Sequence, residues 1–88
     1  MKSDIPRRHA FFPIRVVMEM TNLTARQIRY YEEQGLIKPS RNEGNQRMFS
    51  IEDIEQFLEI KRFIEQGVNI AGVKAIFATR EQEKRTDH

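Results

Sequence analysis

Residues 25 to 36, "ARQIRYYEEQGL", place two arginines, two glutamines and two adjacent tyrosines in one short run. Every one of these side chains can donate hydrogen bonds. A guanidinium offers a planar fork that fits a phosphate or the O6 and N7 of guanine, a primary amide can pair with adenine, and a phenol can donate to a phosphate oxygen. This is chemistry for recognising anions and base edges, not for making or breaking bonds. The rest of the chain agrees: it has two histidines, His9 and His88, both near the ends, and no cysteine. No nucleophile–base pattern, glycine-rich phosphate loop or metal-ligand cluster is visible, so neither catalysis nor a cofactor nor a metal is expected.

Such a set of donors must be aimed by a rigid element. "TARQ" is a capping box, in which the Thr24 hydroxyl accepts from a backbone N–H three residues on and Gln27 reaches back, so a helix starts at Ala25. At about 100° per residue, with Arg26 at zero, Tyr30 falls near 40°, Arg29 near 300° and Glu33 near 340°; Ile28 near 200° and Tyr31 near 140° lie opposite. The two tyrosines thus divide their work. Tyr31 joins Ile28 on the buried side, and Tyr30 lies with the arginines, where its hydroxyl can reach a phosphate. Gln27, on the flank, can pair with adenine or simply close the capping box. Glu33 on the basic face opposes a polyanion and stays unexplained.

An earlier helix begins after Pro13, with Ile14, Val17 and Met20 at helical spacing, and ends near Asn22. Two helices joined by three or four residues, with apolar Leu23 in the turn, have helix-turn-helix spacing, in which the second helix enters the DNA major groove. Beyond Gly35, "LIKPSRNEGNQRMFS" changes character. Pro39 suits an edge strand, "NEGN" supplies a turn in which Gly44 is free to take positive φ, and "RMFS" returns as a strand. The reading is a small hairpin, or wing, carrying Arg41, Asn45, Gln46 and Arg47; a polar loop is the alternative. Ser50 to Asp53 is a second capping box opening a long helix with Ile51, Ile54, Phe57, Leu58, Ile60, Phe63 and Ile64 apolar, ended by Gly67. Asn69 caps a last helix bearing Ile70, Val73, Ile76 and Phe77, after which the apolar content runs out and fraying is expected. The fold class is therefore mainly α with a small β-wing: a winged helix-turn-helix followed by a second helix pair.

Composition sets the outer bounds. Eighty-eight residues with 39% hydrophobic and 32% charged residues describe one small soluble domain. No apolar run nears the roughly 18 residues that span a bilayer, no secretory signal is present, and the lack of cysteine suits the cytosol. The net charge of +2 is unevenly spread: residues 1–50 hold nine Lys/Arg against five Asp/Glu, whereas residues 51–88 hold six against eight. The basic half contains the donor-rich helix, as binding to a polyanion requires.

The order helix, turn, helix, wing, long helix, short helix, with "RQIRYYEEQGLIKPSR" and "GNQRMFSIEDIE", resembles the DNA-binding domain of the MerR superfamily over residues 14 to 77. Within it, "FFPIRVVMEMTNLTARQIRYYEEQGLI", "EGNQRMFS" and "IEQGVNIAGVK" are similar to the bacterial glutamine-synthetase repressor branch that includes GlnR and TnrA. The resemblance implies a dimer on a palindromic, A/T-rich double-stranded operator, repression of nitrogen-assimilation genes and a bacterial cytoplasmic location. By position it implies recognition-helix contacts from Arg26, Gln27, Arg29 and Tyr30 and wing contacts from Arg41, Asn45 and Arg47, with Arg15 a weaker phosphate contact. Gln46 departs from the superfamily, where an aromatic or basic residue is common, and is assigned no base contact. The sequence stops eleven residues after Phe77, leaving no room for a long coiled coil, an effector domain or the tail through which this branch senses glutamine synthetase. On that reading the chain divides into an arm, 1–12, a DNA-binding domain, 13–78, and a flexible end, 79–88. Ile5, Phe11 and Phe12 give the arm enough apolar surface to pair subunits, although Phe11 and Phe12 can equally cover their own subunit's core. A protein-interaction adaptor built on the same fold is the rival function.

Overall fold

The computed structural model describes residues 10–86, with side chains through residue 83; Ile5, His9 and His88 lie outside them. Along the chain these form β1 (Phe11–Phe12), α1 (Ile14–Thr21), α2 (Ala25–Glu33), β2 (Ser40–Arg41), β3 (Arg47–Ser50), α3 (Ile51–Glu65) and α4 (Ile70–Thr86). The expected winged helix-turn-helix followed by a helix pair is the fold. Two compact units divide between Leu58 and Glu59, within α3.

In the first unit, α1 and α2 are joined by a turn built around one buried hydroxyl. Thr21 Oγ1 donates to the Val17 carbonyl at 2.7 Å and accepts from Leu23 N–H at 3.2 Å. Asn22 takes the left-handed conformation at φ 62°, which asparagine tolerates, and turns the chain so that Leu23 is buried. Thr21 therefore fills the inward position on α1, and Met20, expected on the apolar stripe, is 52% exposed. The capping box at Thr24 is fully formed. At the other end of α2, Gly35 at φ +80° lets Leu36 N–H reach the Tyr31 carbonyl at 3.2 Å. A Cβ there would meet no atom within 4 Å, so its cost is purely conformational. Gly35→Ala is expected to lower unfolding stability by about 1 kcal/mol, measured by urea titration.

The wing is a three-stranded antiparallel sheet in the order β1-β3-β2. β3 is central: Phe11 pairs with Ser50 and Phe12 with Phe49 on one side, Ser40 with Met48 and Arg41 with Arg47 on the other. Phe11 and Phe12, the last residues of the expected arm, thus form a strand of the wing. The turn also differs from expectation. Positive φ falls on Asn45, at 64°, and not on Gly44, because the Asn42 side chain sets the bend: its Oδ1 accepts from the N–H of Gly44 and of Gln46, both at 2.9 Å.

Ile28, Ile37, Phe49, Ile54 and Phe57 are buried together with Val17 as the core of this unit. Phe57 is its aromatic hub, with ring centroids 5.7 Å from Phe49 and 6.4 Å from Tyr31. α3 starts from its capping box, Ser50 N–H donating to Asp53 Oδ2 at 2.9 Å and Asp53 N–H to Ser50 Oγ at 3.0 Å.

In the second unit, Gly67 at φ +96° ends α3, and Val68 N–H returns to the Phe63 carbonyl at 2.9 Å. Asn69 Oδ1 caps α4 by accepting from Gly72 N–H at 2.9 Å. Ile60 and Val73 are buried, whereas Ile64 is 36% exposed. The helix does not stop where its apolar content falls after Phe77 but runs to Thr86. An ion pair holds its middle: Arg80 pairs with Glu59 at 2.6 Å while lying over the Phe77 ring, and Thr79 Oγ1 donates back to the Ala75 carbonyl at 2.9 Å. The hydrogen bond from Arg80 holds the Glu59 carboxyl below its ordinary range against the opposing effect of burial.

Candidate nucleic-acid interface

Ile28 and Tyr31 are buried on one side of α2, and Arg26, Gln27, Arg29 and Tyr30 are exposed on the other. Tyr31 touches Tyr30 edge to face, with centroids 5.7 Å apart. Burial, with Tyr30 beside it, raises the Tyr31 phenol above its ordinary range, so it stays protonated as a neutral anchor. Tyr30 is 43% exposed, its ring held by that neighbour. Glu33 is also exposed, and Arg15 is exposed on α1.

The amide oxygen of Gln27 is occupied. Oε1 accepts from Thr24 N–H at 2.9 Å and from Thr24 Oγ1 at 3.3 Å, and the Gln27 backbone N–H donates to Thr24 Oγ1 at 3.1 Å. Of the two roles open to it in the sequence, closing the capping box is the one the structure adopts.

The wing residues have internal partners too. Arg41 Nη1 donates to the Asn45 carbonyl at 3.0 Å, bridging the turn. Asn42 Nδ2 donates to Gln46 Oε1 at 3.1 Å, which ties the Gln46 side chain to the loop. Arg47 points its Nε at Glu32 Oε1, 2.8 Å away, so β3 is fastened to α2 by an ion pair. Arg41 and Arg47 are cross-strand partners, an arrangement of like charges that the Glu32 carboxylate offsets. Glu32 is 11% exposed in its side chain, and its Oε2 is buried without a hydrogen-bond partner.

Glu32 and Asn42 were not among the residues singled out in the sequence. A signal existed for each. Glu32 lies near 240° on the same wheel, about 40° from Ile28, and a carboxylate on a buried face demands a cation. Asn42 stands two residues before Gly44, the spacing of an Asx turn.

Three comparisons bear on this arrangement. The family model described as MerR HTH family regulatory protein matches residues 12–79. The HTH-type transcriptional regulator GlnR of Bacillus anthracis is 50% identical over 84 residues, which is 94% of this chain and 64% of that protein. TnrA of Bacillus subtilis, another HTH-type transcriptional regulator, is 39% identical over 74 residues, covering 84% of this chain and 67% of its own. The chain thus spans a little under two thirds of the length of the first of these relatives. Among solved structures, HiNmlR, a MerR family regulator lacking the sensor domain and bound to promoter DNA, superposes with a TM-score of 0.81 over 89% of this chain and 60% of that one. At 18% identity that likeness is one of fold. A putative MerR family transcriptional regulator from Listeria monocytogenes has a TM-score of 0.74 at 30% identity, over 81% of this chain and 55% of that one. With its turn, donor-bearing second helix and the β2–β3 hairpin of the wing all inside the matched segment, the chain belongs to the MerR family of helix-turn-helix regulatory proteins.

Proposed function

We propose that this protein is a sequence-specific DNA-binding regulator that represses nitrogen-assimilation genes, binding a palindromic, A/T-rich operator as a homodimer. The observation that carries the reading is the division of α2: Ile28 and Tyr31 lock one face into the core while Arg26, Arg29 and Tyr30 stand exposed on the other. Arg26 lies in the first turn, the end of a recognition helix that meets base edges, and Arg29 and Tyr30 lie where phosphates pass. The wing, fixed to the same helix through Arg47 and Glu32, offers Arg41 and Asn45 to the flanking backbone. Arg47 itself keeps 35% side-chain exposure, so it belongs first to the wing's placement and second to DNA. Pairing of subunits through Ile5, Phe11 and Phe12 is part of the proposal; Phe11 supports it by remaining 44% exposed. Control by glutamine synthetase, which the resemblance to GlnR and TnrA implies, is proposed for the full-length protein. So is a cytoplasmic location; among the described residues no helix is long and apolar enough to cross a membrane.

Arg26→Ala is expected to weaken operator binding by about 1–3 kcal/mol and to relax sequence preference at one position of each half-site. Fluorescence anisotropy on operator and scrambled duplexes measures both effects. In the same assay the logarithm of affinity should fall with that of salt at a slope of roughly −0.9 for each phosphate contacted. A binding constant indifferent to salt would refute the proposal.

A further inference from the structure

The capping box that starts α2 determines what Gln27 can say to a base. A backbone N–H only donates, so the side-chain atom 2.9 Å from Thr24 N must be the oxygen; the chemistry fixes the amide's orientation. That oxygen also receives the Thr24 hydroxyl, which is free to donate because its own lone pair takes the Gln27 N–H. Both lone pairs of Oε1 are then used, and the exposed end of the side chain is the Nε2 group with two donors and no acceptor.

We propose that Gln27 is a donor-only specificity residue, selecting guanine, the base with two acceptors on its major-groove edge, over adenine and thymine with one each, and rejecting cytosine. This rests on the DNA-binding reading above and refines it. The familiar bidentate pairing of glutamine with adenine needs the amide oxygen to accept from N6 while Nε2 donates to N7. Here that oxygen is turned back into the helix start. Adenine therefore offers Gln27 only N7, guanine offers N7 and O6, thymine offers O4, and cytosine offers a donor that meets a donor. The residue sits one position from Arg26 in the first helical turn, so the two read neighbouring places on the same edge.

The test is selection of bound sequences from a random duplex pool by the whole chain and by two variants, followed by affinity measurements on the selected duplexes. Gln27→Glu keeps an acceptor for Thr24 N–H, and therefore the box, but replaces the outward donors with an acceptor. Gln27→Met keeps the length and removes both. Helix content by circular dichroism verifies that each variant folds. The wild type should select guanine at one position of each half-site, by about tenfold over cytosine. Gln27→Glu should shift that position toward cytosine, and Gln27→Met should leave it unselective while the position read by Arg26 stays sharp. Adenine selected by the wild type and lost in Gln27→Met would overturn the proposal, since the amide would then have left the box. An identical consensus from all three proteins would overturn it too, leaving DNA binding intact. Failure of the wild type to enrich any sequence would instead defeat the DNA-binding reading, and this proposal with it.

Discussion

Phe57→Ala is expected to lower the unfolding free energy by about 3–5 kcal/mol, the cost of removing a buried ring that cannot be refilled. Phe57 is fully buried and touches Phe49 on β3 and Tyr31 on α2. Its loss opens a cavity between the wing and the donor-bearing helix. Domains of this size hold roughly 5–10 kcal/mol in all, so the variant should lose about half of its stability. Urea denaturation followed by circular dichroism measures the change. Operator affinity should fall with it and return under conditions that restore folding, such as a stabilising osmolyte. A loss below about 1 kcal/mol would mean that Phe57 does not hold the two elements together.

The second large effect concerns the ion pair. Arg47→Ala should destabilise the domain by about 3 kcal/mol, because it leaves the Glu32 carboxylate buried with neither oxygen compensated. Glu32→Leu should cost less, since the guanidinium it releases is partly exposed, but it leaves Arg47 directly across from Arg41. The double variant Glu32→Leu/Arg47→Leu should recover most of the loss, as apolar replacement of buried pairs often does. A double-mutant cycle in urea gives the coupling, and strictly additive single losses would contradict a direct pair. The double variant should remain folded yet bind operator less tightly, because apolar contact does not fix the angle of the wing as an oriented hydrogen bond does.

These two cases also mark what the sequence could and could not reveal. Phe57, Ile28 and Tyr31 were legible as core because a helical period makes burial a matter of counting. The caps at Thr24, Ser50 and Asn69 were legible for the same reason: each is settled within three residues. The Glu32–Arg47 pair joins residues fifteen positions apart, and attention to the basic face fell on Glu33, while Glu32 on the inner face carried the structural role. In the wing, glycine drew the positive φ in the reading, but the bend belongs to Asn42, whose side chain competes with backbone turn geometry. Placing Phe11 and Phe12 in a sheet required knowing that β3 has a free second edge, which two residues of local pattern do not disclose. Apolar periodicity carries no signal past Phe77, although α4 continues to Thr86 with Arg80 paired to Glu59.

The order of the sheet has a consequence for solubility. β3, the longest strand, has neighbours on both sides, and each outer strand is two residues long. β2 is preceded by Pro39, which has no N–H, and itself carries Arg41. An incoming chain thus finds too short a ladder of free donors and acceptors to extend, and the wing can project its side chains without becoming a template for aggregation.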